Sequence, residues 1–208
     1  MRELFVARHG ESELNLENVL NGDPAVSAEL TARGEEQSRA LGAAVGPVEL
    51  AAHTRFARTR RTAELAWPAT PLLEMPELDE IRFGRWEGTR WSEGYADWAG
   101  SSGPEDACPG GGESRVEAAA RYVRGFRLLL ERPEDRIALV AHGAQVRYLL
   151  LAAAGRPPVP ILEHVPAAEP LRVDHAELER AIEVLEAWLA TPAFEGVELS
   201  APSARTRQ

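Results

Sequence analysis

Two short apolar runs in this chain each end in a histidine followed by glycine. Leu4-Phe5-Val6-Ala7 leads into Arg8-His9-Gly10, and Ile137-Ala138-Leu139-Val140-Ala141 leads into His142-Gly143. Such runs, bounded by turn formers, read as buried strands. In an open α/β sheet the residues at strand ends line the ligand crevice. If the two strands are neighbours, His9 and His142 share one ligand. Gly10 lets the backbone come close to that ligand without a side chain in the way.

The pattern between these runs is alternating. Further strands are expected near 48–52, 71–74 and 171–173, with helices near 31–45, 57–66, 115–131, 143–154 and 174–190. Thr31, Ser114 with Glu117, and Asp174 are the expected helix caps. Gly46-Pro47, Pro68, Pro133 and Gly155 are the stop signals. Strands alternating with helices imply a three-layer α/β/α sandwich with a mostly parallel sheet. Residues 1–200 read as a single domain, followed by a flexible tail over 201–208. Residues 82–113 break the alternation with Trp86, Trp91, Tyr95 and Trp98, and read as a lid whose rings pack together. The leucine face of the last helix (Leu178, Ile182, Leu185, Leu189) reads as docking on the domain, and the chain as a monomer or homodimer.

Composition excludes several function classes. The net charge of −10 argues against nucleic-acid binding, which draws its affinity from basic surface. The chain has no lysine, so Schiff-base chemistry, pyridoxal phosphate attachment and a Walker-type loop are excluded. The single cysteine, Cys108, forms no internal disulfide and stands in no catalytic pattern, which fits a reducing compartment. No apolar stretch is long enough to span a membrane, and the start of the chain has no signal core. The expectation is a cytoplasmic protein that binds neither nucleic acid nor membrane.

What needs two imidazoles among arginines is a phosphate. Arg8 and Arg58 have the planar fork that matches phosphoryl oxygens. His142 opens a helix whose first amides receive an anion. A metal site, by contrast, calls for further His, Cys or carboxylate ligands and no surrounding arginines.

Several motifs in order carry a resemblance. Arg8-His9-Gly10-Glu11-Ser12-Glu13-Leu14-Asn15 is followed by Asn21-Gly22 and by Leu30 through Gln37. Thr54 through Ala63 has Arg58 at its key position. Leu78-Asp79-Glu80, Gly84-Arg85-Trp86-Glu87-Gly88, Gly112-Glu113-Ser114 and Val140-Ala141-His142-Gly143 complete the set. Across residues 3–155 the chain resembles the histidine phosphatase superfamily, the phosphoglycerate-mutase-like fold with the Arg-His-Gly signature. The resemblance implies that His9 is the nucleophile and forms a phosphohistidine. It implies that Arg8, Arg58 and His142 hold the phosphoryl oxygens. Glu80 is then the acid that protonates the leaving oxygen and later takes a proton from water. Asn15, Asn21, Gly10 and Gly143 are the expected phosphate-binding residues, and no metal or organic cofactor is implied. His53, His164 and His175 are read as structural or surface residues.

Within that family the expected activity is a phosphomonoesterase acting on a small phosphorylated metabolite. The cofactor-dependent mutases are expected to be longer between the acid and the second histidine, and transfer to another hydroxyl is the alternative. A non-catalytic phospho-ligand binder is a third reading, disfavoured because every expected catalytic position is filled. The acids of the lid (Glu87, Glu93, Asp97, Glu105, Asp106) oppose a bisphosphate.

Overall fold

The computed structural model describes residues 1–160 and 164–194; the tail expected over 201–208 lies outside the described residues. Five strands form one sheet: β1 (Glu3–Arg8), β2 (Leu50–His53), β3 (Leu72–Glu74), β4 (Arg136–Ala141) and β5 (Leu171–Asp174). Their order is β3-β2-β4-β1-β5. β1, β2, β3 and β4 run parallel, and β5 is an antiparallel edge strand against β1. β1 and β4 are neighbours in a register that pairs Arg8 with Ala141. The two histidine-bearing strand ends therefore sit side by side.

Side-chain alternation along the central strands sorts the core into two layers. Leu4, Val6, Leu50, Ala52, Ile137, Leu139 and Ala141 face one way, towards α5 (Arg115–Leu130), α6 (Gly143–Ala153) and α7 (His175–Ala190). Ala7, Ala51, Ala138 and Val140 face the other way, towards α2 (Ala32–Val45) and α3 (Ala57–Ala66). The second face is built mostly from small residues, and the first carries the larger share of the apolar core. Two further short helices, α1 (Glu13–Leu16) and α4 (Ala96–Ser101), lie outside these layers. No periodic signal marks α1, whose four residues are too few to show one.

Local chemistry fixes the helix ends. Thr31 Oγ1 accepts the Gly34 N–H at 3.0 Å, and Ser114 and Asp174 cap α5 and α7 through reciprocal bonds with Glu117 and Glu177. Gly46 closes α2 at φ +77°, a backbone state open to glycine at little cost. Residues 82–113 contain a short 3₁₀ turn at Gly84–Trp86, an irregular turn at Trp91–Tyr95 and then α4. Tyr95 stands at the centre of this excursion, with ring centroids of Phe83, Trp86, Trp91 and Trp98 at 5.0, 5.6, 4.8 and 5.7 Å. No helix of the described residues is long and apolar enough to cross a membrane.

Leu178, Ala181, Ile182 and Leu185 of α7 are buried in the core shared with α5 and α6. Leu185 is fully buried. Leu185→Ala is expected to cost about 2–5 kcal/mol through lost transfer energy and the cavity left behind. Urea unfolding measures it; a loss under about 0.5 kcal/mol, the range of ordinary surface changes, would mean that α7 is not part of the cooperative core.

Candidate active site

The carboxyl ends of β1, β2 and β4 open into a cavity of about 820 Å³, lined by Arg8, His9, Asn15, Asn21, Arg58, Glu80 and Gly143 among others. At its base His9 meets His142, which is not itself among the lining residues, ring centroids 5.4 Å apart, and the His9 N–H donates to Ala141 O at 3.0 Å. His9 is almost fully buried and His142 completely so. His9 Nδ1 lies 2.7 Å from Gly10 O, an oxygen that only accepts, so Nδ1 carries the proton and Nε2 the lone pair.

Arg58, from the first turn of α3, ties the site together. Its Nε donates to His9 Nε2 at 3.1 Å, and one Nη faces His142 Nδ1 at 3.2 Å. The same Nη donates to Asn21 O at 3.0 Å, while the other donates to Asn21 Oδ1. Its neighbours go elsewhere: Arg55 pairs with Asp79, Arg60 with Glu64, and Arg61 with Glu35. Arg58 has no carboxylate at ion-pair distance among the described residues, and burial pulls its pKa down to about 10. Arg8 reaches Val165 O at 3.1 Å, and burial likewise lowers its pKa.

Four acids lie close in sequence, and the fold separates them. Asp79 accepts the Arg55 N–H at 3.0 Å and pairs with its guanidinium at 2.5 Å. Glu87 accepts the amides of Gly22 at 2.8 Å and Phe83 at 2.7 Å, which fastens the Asn21 loop to the aromatic excursion. Glu80 lines the cavity, whereas Glu77, Asp79 and Glu87 do not. Burial raises the Glu80 pKa, against the lowering pull of Ile81 N–H, Arg58 and Arg8. The backbone that carries Glu80 is clamped from two helices. Arg121 donates to the carbonyls of Glu77, Asp79 and Glu80, and is itself gripped by Glu113 at 2.8 and 3.0 Å. Gln145 donates to the carbonyls of Leu78 and Asp79.

The remaining expected site residues take distinct places. Asn21 acts on Arg58, as above, and donates to Asp23 O at 3.0 Å. Asn15 lines the cavity, and its Oδ1 accepts the Ser12 N–H at 3.2 Å. Gly143 lines the cavity with open space where a Cβ would be. Gly10 is small for a reason different from the one expected. A Cβ there would stand 2.5 Å from Gly34 O, so the close approach it permits is that of α2, and its N–H is taken by Thr62 Oγ1 at 3.0 Å. Of the other histidines, His53 is buried with Nδ1 on Thr54 O, His175 is exposed, and His164 is exposed at the cavity wall. Among the described residues no group of three or more His, Cys, Asp or Glu is arranged to hold a metal ion.

Sequence reasoning did not assign Thr54, Thr59, Thr62, Arg121 or Gln145. All but Arg121 and Gln145 lie within the Thr54–Ala63 segment, yet a buried threonine carries no signal of what its hydroxyl meets.

Both site histidines have pKa values well below the ordinary range, first because burial penalises the charged ring and then because Arg58 stands close. A histidine buried neutral contributes stability that is complete above the unfolded value of about 6.5 and is lost as pH falls towards its folded value. Glu80 and Glu87, both raised by burial, act in the opposite direction as pH falls. The histidine share is therefore read as a difference. Between pH 7.5 and 5.5, His142→Gln is expected to lose less unfolding free energy than the parent chain, measured by urea titration. Equal losses would mean that folding does not lower the His142 pKa.

The chain matches known proteins in sequence and fold. Residues 4–191 match the family model described as "Histidine phosphatase superfamily (branch 1)". A 2,3-bisphosphoglycerate-dependent phosphoglycerate mutase of Brucella melitensis is 29% identical over 178 residues, covering 78% of this chain and 86% of that protein. Its size is thus close to that of this chain, and the expectation that such mutases are longer does not separate the two activities. The alpha-ribazole phosphatase from Shigella flexneri superposes with a TM-score of 0.68 at 25% identity, over 83% of this chain and 90% of that one. TTHB049 from Thermus thermophilus gives 0.64 at 36% identity, over 83% and 93%.

Proposed function

The chain belongs to the histidine phosphatase superfamily, and from that premise we propose that it is a phosphomonoesterase acting on a small metabolite through a phosphohistidine at His9. The observation that carries this reading is the His9 ring. Its Nδ1–H is held by Gly10 O, and its Nε2 lone pair is held by a donor that a phosphoryl group can displace.

On substrate entry the Arg58 fork turns from His9 Nε2 to the phosphoryl oxygens, joined by Arg8. Burial keeps His9 neutral at pH 7, so its lone pair is available without a general base. Nε2 attacks phosphorus, the ester P–O bond breaks, and the leaving oxygen takes the Glu80 proton. Water then attacks the phosphohistidine, gives its proton to Glu80, and releases phosphate and neutral His9. The raised Glu80 pKa increases the fraction that holds the proton. Asn21 holds Arg58 throughout and His142 holds it in the free protein, so the cation that meets the developing charge is set before the reaction begins.

Charge supports a monoester. Among the described residues, Arg8, Arg33, Arg58 and Arg115 line the cavity against Glu11 and Glu80. With neutral histidines and Glu80 holding the proton it donates, that leaves a surplus of three positive charges, which covers one phosphomonoester dianion and falls short of a bisphosphate. The wall beyond the phosphoryl end includes Leu14, Val19, Phe83, Trp91, Tyr95 and Tyr148, which suits an apolar or ring-bearing leaving group. The phosphatase from Shigella flexneri supports hydrolysis; the mutase from Brucella supports transfer to a second hydroxyl as the competing outcome.

A panel of phosphorylated metabolites, scored for both phosphate release and positional isomerisation, separates these outcomes. Monoesters are expected to release phosphate, and isomerisation without release would overturn the phosphatase reading. Glu80→Gln is expected to lower kcat for alkyl phosphates about 10²–10⁴-fold and to matter far less for p-nitrophenyl phosphate, whose leaving group needs no proton. Equal losses on the two esters would remove Glu80 from the acid role.

A further inference from the structure

Beneath the cavity, four groups form a buried hydrogen-bond chain. His142 Nε2 lies 2.9 Å from Thr54 Oγ1, which lies 2.8 Å from Thr59 Oγ1. Thr59 Oγ1 in turn lies 2.8 Å from Phe56 O and 3.2 Å from Thr54 O. Thr54, Thr59 and His142 are all completely buried, so no bulk water enters the chain.

The chemistry of its last link sets the direction of every proton. Carbonyl oxygens only accept, so the single Thr59 hydroxyl hydrogen goes to them. Thr59 Oγ1 is then left to accept, and the Thr54 hydroxyl donates to it. Thr54 Oγ1 is left to accept in its turn, and the donor is His142 Nε2–H. The other side of the ring gives the same answer independently. Arg58 has no lone pair to offer, so His142 Nδ1, 3.2 Å from its Nη, must be the unprotonated nitrogen.

We propose that Thr59, acting through Thr54, is a positioning residue that locks His142 with its proton on Nε2, so that Nδ1, the nitrogen beside Arg58, is kept as the acceptor. This inference rests on the phosphatase reading for its consequence. In the free protein the Nδ1 lone pair holds the Arg58 fork that engages His9. When a phosphoryl dianion draws the Arg58 Nη away, Nδ1 is the nitrogen that takes a proton, supplied by solvent water through the open cavity, and turns donor towards the phosphoryl group, because Nε2 is already occupied. Without the threonine chain the ring is free to place its single proton on Nδ1, where it would confront an arginine donor.

The test is ring ¹⁵N–¹H NMR of His142 in the intact protein, with its signals identified by their loss in His142→Gln. The parent chain is expected to show one tautomer, protonated at Nε2. Thr59→Val keeps the shape but removes the acceptor, and is expected to show a population protonated at Nδ1 and a kcat lower by about tenfold. Thr59→Ser keeps the hydroxyl and is expected to restore both. An Nδ1-protonated ring in the parent chain overturns the proposal without any variant. A Thr59→Val protein with the parent's tautomer and the parent's kcat also overturns it. The NMR readout does not depend on turnover, so a chain that hydrolysed no phosphoester would refute the phosphatase reading and leave the tautomer assignment standing.

Discussion

One buried guanidinium holds this site together. Arg58 is 5% exposed and is surrounded by neutral partners, namely two imidazoles and the carboxamide and carbonyl of Asn21. Burying a cation without a paired carboxylate is costly, and a chain that only needed stability would fill this space with apolar atoms. The arrangement is intelligible if the counter-charge is supplied by a ligand. A dianion entering this cavity meets a cation already desolvated and already aimed, and little reorganisation is left to oppose it. Burial first, and then the same guanidinium, lower the pKa of both histidines, which keeps His9 neutral and nucleophilic.

Everything that positions Arg58 comes from a different part of the chain. The β1–β4 register sets the spacing of His9 and His142, since slipping either strand by one residue would send its histidine to the opposite face. The Asn21 loop is fixed by Glu87, which reaches back from the aromatic excursion and couples that segment to the phosphoryl end of the cavity. The Glu113–Arg121 pair holds the backbone of residues 77–80 from the far side. Small shifts in any of these three supports are therefore felt at the same reacting atoms.

How far the sequence foretells this depends on how local each signal is. The strands ending at His9 and His142, the Thr31, Ser114 and Asp174 caps and the α7 leucine face each rest on a few adjacent residues, and all are legible. The mostly parallel sheet follows from their alternation. The internal path of residues 82–113 is not legible, because its turns answer to contacts around Tyr95 that have no period. The roles of Asn21 and Thr59 are hidden for a related reason. A polar residue in a loop or a helix looks the same whether it touches substrate, touches another side chain or caps a turn. Gly10 shows the limit most plainly: its smallness is legible, but its reason, the passage of α2, lies in a distant helix.

The proposed chemistry stands or falls on whether His9 carries the phosphoryl group covalently between two half-reactions. The decisive experiment mixes the protein with excess ³²P-labelled monoester, quenches in denaturant at alkaline pH and maps the label. The expected result is label on the His9 peptide that is stable to base, lost in acid, and missing from His9→Ala. Continued phosphate release by His9→Ala, with no label on the parent chain, would contradict it.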